Sequence, residues 1–290
     1  MILYIIGNGF DINHGMKTSF KDFLKHIENK KSKSLGELEN LSNEDMWNDF
    51  EKSLGDINYE LFMAVMGSVY NRDENTINED DNYYSDTFDF EHYLPNYYNL
   101  QKDLVEWISK VELPIKKYKL DKNAIFLTFN YTNVLELVYN INDESIIHIH
   151  GRLGGNKELQ VGFGNVNINN ILDEVDRVIY TGDFPYELVG YEMLVKYLKC
   201  FEKPITKNIE KYFTLFKEKL NITEIYILGF SFNQIDITYL SSIFENIDNE
   251  AKVFISYFDD KDKKNINKFI ETSKTRKIIV DKMENILEKV

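Results

Sequence analysis

Four short stretches carry residue types that could do chemistry. Gly7-Asn8-Gly9-Phe10-Asp11 sets two glycines beside a carboxylate, and Thr128-Phe129-Asn130-Tyr131-Thr132 sets an amide between hydroxyls. Ile149-His150-Gly151-Arg152 offers an imidazole followed by glycine, and Leu228-Gly229-Phe230-Ser231 a glycine ahead of a hydroxyl. An imidazole with an ordinary pKa of ~6.5 gives or takes a proton near neutrality. Glycine permits a tight turn and lets a backbone approach a phosphate group. Amide and hydroxyl groups fix a ligand's oxygens. The set suits holding a nucleotide and moving a proton on it.

Each stretch is positioned by what precedes it. Residues 2–6 form a continuous apolar run ended by Gly7, the pattern of a strand buried on both faces. Similar runs occur at 124–128, 146–149, 224–228 and 253–257, with a weaker one at 277–280. Short buried strands separated by helical stretches predict an α/β fold with a mostly parallel sheet and helices on both sides. Leu135-Glu136-Leu137-Val138-Tyr139 and residues 235–244 read as crossover helices, and residues 281–290 as a short amphipathic one. In parallel strands the four polar stretches converge at one edge of the sheet, where open α/β sheets bind ligands.

Every motif has a plainer alternative. The glycines of residues 7–9 could serve strand-to-helix packing, and Asp11 could cap a helix. The dinucleotide fingerprint wants a third glycine at position 12, which is Ile12; the third glycine here is Gly15. His14 could be a surface residue. His148 and His150, two apart on a strand, point the same way and could pair on a metal, but no third ligand is near in sequence, so no metal is expected. His148 reads as a buried, hydrogen-bonded histidine, and His150 as functional. Asp236, after Ser231, could cap the following helix, and Gly162-Phe163-Gly164-Asn165 is a glycine loop with no assigned partner.

Composition narrows the partners. Lys plus Arg number 34 and Asp plus Glu 48, a net charge of −14, and such a field argues against broad nucleic-acid binding. The single cysteine, Cys200, excludes an internal disulfide and any cysteine-cluster zinc site, and its neighbours suggest a small packed side chain. No apolar run reaches the ~18–20 residues of a membrane span, and the start lacks the basic lead of a signal peptide. A cytoplasmic protein is expected.

The distance between the first two strands is too long for one crossover. Trp47, Phe50, Glu51 and Leu54 repeat at helical spacing, as do Leu61, Val65, Ser68 and Val69, and Leu100, Leu104, Trp107, Ile108 and Val111. Residues 35–115 therefore read as a helical insertion or cap within one domain spanning 1–290, with an acidic, turn-rich loop at 71–81. A further helical segment is expected over 186–220.

At these residues the chain resembles two overlapping families. Ile6-Gly7-Asn8-Gly9-Phe10-Asp11, His14-Gly15, Thr18-Ser19-Phe20 and Trp47-Asn48-Asp49-Phe50-Glu51 look like the AbiH family of phage abortive-infection proteins. More remotely, the frame is similar to the sirtuin-like, Rossmann-type NAD-binding fold. Gly7, Gly9 and Gly15 match the spacing of the sirtuin glycine loop, Thr128 to Thr132 its TQNxD motif, His150-Gly151 its HG, and Gly229-Phe230-Ser231 its later GTS loop. Asp11 replaces the sirtuin serine, Thr132 the aspartate, and Thr18 stands at another usual acidic position. Deacylating sirtuins carry a four-cysteine zinc module that a chain with one cysteine cannot build.

The resemblance implies an antiphage effector that takes NAD as substrate and hydrolyses its nicotinamide–ribose bond. The leaving group departs neutral from a cation and needs no general acid, so the site must stabilise an oxocarbenium-like transition state and place water. In this reading Asn130 fixes the ribose hydroxyl or the water, and His150 accepts a proton. Gly7, Asn8 and Gly9 offer backbone N–H groups to the pyrophosphate, and Phe10 packs on the nucleotide. Thr132, Gly229, Phe230 and Ser231 complete the cofactor site, and Asp11 stabilises positive charge or caps. The rival is a sensor that binds NAD or an ADP-ribose derivative without turnover and signals to a partner; another is a toxin acting on a different nucleotide or on nucleic acid. A small-molecule nucleotide is the expected partner, with a homo-oligomer or a protein of the same defence system left open.

Overall fold

The computed structural model describes residues 1–41, 50–55, 96–164, 185–217, 221–272 and 277–288. The expected features at Trp47, Asn48 and Asp49, at Leu61 to Val69, at 71–81 and at Asn165 lie outside them. The described chain divides into two compact units: residues 1–22, 105–160 and 204–290 form one, and residues 23–104 and 161–203 the other.

The first unit is built on a six-stranded sheet of β1 (Ile2–Ile6), β2 (Ile125–Thr128), β3 (Ile146–His148), β4 (Glu224–Leu228), β5 (Lys252–Tyr257) and β6 (Ile278–Lys282). The order is β3-β2-β1-β4-β5-β6, and every pairing is parallel. This is the doubly wound Rossmann-like arrangement, and all six expected strands are present, each within a residue or two of its expected ends. Alternation along β1 explains the two-sided core. Leu3 and Ile5 join one apolar cluster with Tyr239, Leu240 and Ile243 of the helix Gln234–Asn246 and Ile266 and Phe269 of the helix Asp260–Thr272. Tyr4 and Ile6 join the other with Phe10, Val134, Leu135, Met283 and Ile286. On that second face the parallel register stacks Phe126, Tyr4, Tyr226 and Phe254 across β2, β1, β4 and β5, with ring centroids 4.7–5.2 Å apart. In-register aromatic rows of this kind hold strand pairing and register together.

Strand order also locates the site. β1 leads through β2 to β3 on one side, whereas β4 leads through β5 to β6 on the other. The reversal falls between β1 and β4, and ligands of such sheets bind beyond the carboxyl ends of the strands at that point.

The second unit is helical, with helices at Lys33–Leu41, Phe50–Ser53 and Pro185–Phe201 and part of Tyr97–Ser109. It thus draws on two separated stretches, where one insertion over 35–115 was expected. The expected stripe of Leu100, Leu104, Trp107 and Ile108 is buried, as are Phe50 and Leu54. The helical segment expected over 186–220 is two helices, since Pro204 precedes the helix Ile205–Lys217. The unassigned glycine loop finds its partner inside this unit: Phe163 exchanges backbone hydrogen bonds with Phe201 and Lys203, and a methyl on Gly162 would lie 1.8 Å from the Phe201 carbonyl oxygen. Cys200 is exposed rather than packed, because it falls on the outer side of the helix whose Tyr197 and Phe201 are buried.

Candidate functional site

The loops after β1 and β4 are locked together at the switch point. Gly7 donates its N–H to the Leu228 carbonyl at 3.0 Å and Gly9 to the Gly229 carbonyl at 2.8 Å. A methyl on Gly7 would stand 2.5 Å from the Gly229 oxygen, and one on Gly9 2.8 Å from the Gly229 Cα. Gly229 has φ of +61°, and its own methyl would lie 2.1 Å from the Phe10 nitrogen. All three positions therefore require glycine for close approach of one chain to another. The N–H groups of Gly7 and Gly9, expected to face a pyrophosphate, are engaged by the end of β4, so in this conformation they serve packing. Asn8 Nδ2 donates to the Thr18 carbonyl at 2.7 Å and ties the loop to the chain just beyond Gly15.

Phe10 is fully buried, and its ring lies against His14 and Tyr139. It anchors the helix Asn8–Asn13 that carries Asp11. His14 is not a surface residue: its Nδ1 is 2.7 Å from the Phe10 carbonyl and its Nε2 2.6 Å from the Tyr139 hydroxyl. A proton on Nδ1 satisfies both contacts, and burial lowers its pKa.

Asp11 is 1% exposed. Its Oδ2 accepts a hydrogen bond from the Thr132 hydroxyl at 2.6 Å, whereas its Oδ1, equally buried, has no hydrogen-bond partner. Burial pushes its carboxyl up to about 7, against the opposing pull of Thr132 and the Asn130 amide. Asp11 therefore stands close to Asn130 and Thr132, and the ends of β1 and β2 do meet. Asn130 is 6% exposed; its backbone N–H donates to Thr128 Oγ1 at 3.1 Å, and its side-chain oxygen also has no partner. Asp11 is not the helix cap: Gly7 occupies that position without a side-chain bond.

His150 is buried, with its ring edge-on to Phe129 at 5.5 Å and to Tyr239 at 6.0 Å. Phe129 in turn meets Phe230 at 5.1 Å, so residues after β2, β3 and β4 share one aromatic cluster. β3 ends at His148, and His148 and His150 go different ways. His148 Nε2 lies 2.8 Å from Glu136 Oε1, which also accepts from Arg152 Nη1 at 2.7 Å. Burial alone would raise the Glu136 carboxyl, but these two partners outweigh it and lower it. Ser231 donates to Asp236 Oδ2 at 3.1 Å, and the cap of the helix Gln234–Asn246 is Asn233, whose Oδ1 accepts from the Asp236 N–H at 2.7 Å.

A layer behind His150 had no signal in the sequence. Gln160 N–H donates to the His150 carbonyl at 2.8 Å, and the Tyr131 hydroxyl donates to the Gln160 carbonyl at 2.8 Å. Asn208 Nδ2 reaches both Gln160 Oε1 and the Tyr239 hydroxyl. Lys157 Nζ donates to the Ile149 carbonyl at 2.8 Å, and burial lowers its pKa. These residues come from distant stretches with no spacing to betray them.

Parallel strand order, a switch point between β1 and β4, and buried polar side chains at the strand ends define an open α/β protein with a candidate small-molecule site. A family model described as bacteriophage abortive infection AbiH matches residues 3–257, and the chain belongs to the AbiH family. No curated protein and no solved structure matches it. Among the described residues no helix is long and apolar enough to cross a membrane.

Proposed function

We propose that this abortive-infection protein acts by hydrolysing NAD at the nicotinamide–ribose bond. One observation carries the reading: Asp11 and Asn130 bury unpartnered oxygens together at the ends of β1 and β2, beside the switch point, the place where open α/β sheets bind their ligands. Native folds seldom leave such atoms without a partner unless a ligand or an ordered water supplies it. The order of the motifs along the chain, shared with sirtuin-like NAD-binding folds, supports NAD as that ligand.

In the proposed reaction water attacks C1′ of the nicotinamide ribose. The C–N bond breaks, its electron pair leaves with nicotinamide as a neutral base, and the water's proton passes to His150. Asn130 orients the ribose or the water, and Asp11 lies near the developing positive charge. Gln160, Tyr131 and Asn208 hold the His150 loop in place.

Purified protein incubated with NAD, followed by chromatography for nicotinamide, tests the proposal. Nicotinamide release is expected from the wild type and a loss of about 100-fold or more in His150→Ala and Asn130→Ala. Intact NAD with all three proteins would overturn it.

A further inference from the structure

We infer that His148 is a positioning residue that sets where the Asn130 side chain stands relative to His150. It does so by donating from both ring nitrogens, to the Asn130 backbone carbonyl and to the Glu136 carboxylate. This rests on the proposed role of Asn130 and adds a residue that touches neither substrate nor reacting atoms.

His148 is the last residue of β3, and its ring spans two neighbouring segments. Nε2 lies 2.8 Å from Glu136 Oε1 on the short helix Val134–Leu137, and Nδ1 lies 3.3 Å from the Asn130 carbonyl oxygen. A backbone carbonyl only accepts, and so does an ionised carboxylate. Both contacts are therefore hydrogen bonds only when each ring nitrogen carries a proton. The surroundings favour that form. Burial works to raise the Glu136 carboxyl, but the His148 donor, ahead of Arg152, brings it down, so the oxygen facing the ring is ionised. Arg152 bridges Glu136 and Asp143 at 2.7 Å each, so with His148 protonated two cations face two carboxylates. The His148 and Glu136 side chains are only 10% and 9% exposed, and their attraction is little screened.

The tie acts where Asn130 needs it. Leu153 N–H donates to the Tyr131 carbonyl at 2.8 Å, and Asn133 Nδ2 donates to the Leu153 carbonyl at 3.0 Å. The loops after β2 and β3 thus run bonded together, and His148 extends that seam to Asn130 itself. The bond from Asn130 N–H to Thr128 Oγ1 is local and ties the residue to no other segment. Without the two ring N–H groups the carbonyl is released, and the amide loses the reference that fixes it against His150. A misplacement of about 1 Å at such a group can cost on the order of 100-fold in rate.

His148→Phe keeps a ring and removes both donors. Its kcat and KM for NAD are compared with those of the wild type, Asn130→Ala and the combined variant. The expected loss is about tenfold, borne by kcat with KM within about twofold, and it shrinks to less than about twofold in the Asn130→Ala background. A loss borne by KM, or losses that multiply in the combined variant, would overturn the inference. Adding Glu136→Gln to His148→Phe removes the buried charge left without its donor, and is expected to restore Tm but not kcat. Recovery of kcat along with Tm would reduce His148 to a folding role and overturn it. Amide hydrogen exchange reads the same tie without substrate: residues 129–133 are expected to exchange about tenfold faster in His148→Phe. Unchanged exchange there overturns the inference whatever the substrate. Intact NAD with the wild type, together with faster exchange in His148→Phe, overturns only the proposed function and leaves the hold of His148 on Asn130 standing.

Discussion

Among the described residues the two most deeply buried aspartates lie one in each unit, and their surroundings are opposite. Asp103, in the helical unit, is 3% exposed and fully partnered: Lys30 Nζ reaches Oδ1 at 2.7 Å, and the Ser32 and Ser34 hydroxyls donate to Oδ2. Asp11, in the sheet unit, is 1% exposed and has Thr132 on one oxygen and nothing on the other. The first carboxylate is a structural joint. It binds the end of one helix, the start of the next and a third segment through charge and hydroxyls. The second is left short of a partner on one oxygen, as is the Asn130 side chain close to it, a clustering of unfilled hydrogen-bonding capacity that a structural joint does not show. A buried charge thus carries no functional meaning by itself; the unfilled hydrogen-bonding capacity does.

Glycine packing holds Asp11 in that position, and breaking it has the largest expected effect. Gly229→Ala puts a methyl 2.1 Å from the Phe10 nitrogen at φ of +61°, so a destabilisation of more than ~4 kcal/mol is expected, read as a large drop in Tm. An unchanged Tm would mean that the loop does not impose the burial of Asp11.

Asp11→Asn is next. The unfolded carboxyl ionises near 4, whereas the fold keeps its proton up to about 7. The stabilising effect of that retained proton is complete at low pH and is lost as pH rises from 4 through 7. Asp11→Asn removes the dependence and is expected to be more stable than wild type at pH 8 by ~2–4 kcal/mol, with the difference fading toward pH 4. Paired denaturant titrations at pH 5 and 8 measure it. The same variant is expected to lose about 100-fold in NAD cleavage, a trade of activity for stability.

Asp103→Asn should do the reverse. It weakens three charge-assisted hydrogen bonds, but Lys30 is one-third exposed and its share is screened, so a loss of ~1–2 kcal/mol in stability with NAD cleavage retained is expected. If Asp103→Asn abolished cleavage and Asp11→Asn did not, the contrast between the two carboxylates would be reversed. The smallest effect belongs to Lys110→Ala, which breaks an exposed pair with Glu106 and should change stability by less than ~0.5 kcal/mol.

Much of the sheet was legible in the sequence because parallel strands buried on both faces read as unbroken apolar runs. Ile2–Ile6 and Glu224–Leu228 are found with the ends that their apolar runs predicted. The meeting of Asp11 with Asn130 and Thr132 followed from strand direction alone. What could not be read was how neighbouring loops use their backbone groups. Gly7 and Gly9 have the spacing of a phosphate loop, but their N–H groups are bonded to the end of β4, a partner more than two hundred residues away in sequence. Likewise Asn208 and Gln160 carry no local pattern, since their role behind His150 exists only after three elements have packed. The exposed Cys200 shows the same limit: apolar neighbours in sequence do not say which side of a helix a residue faces.

Cleavage of NAD by the buried polar cluster is tested most directly in phage-challenged cells expressing the wild type or Asn130→Ala, with NAD and nicotinamide measured by chromatography. A fall in NAD matched by a rise in nicotinamide with the wild type, and neither with Asn130→Ala, is the predicted result. Unchanged NAD in wild-type cells that still abort infection would contradict it.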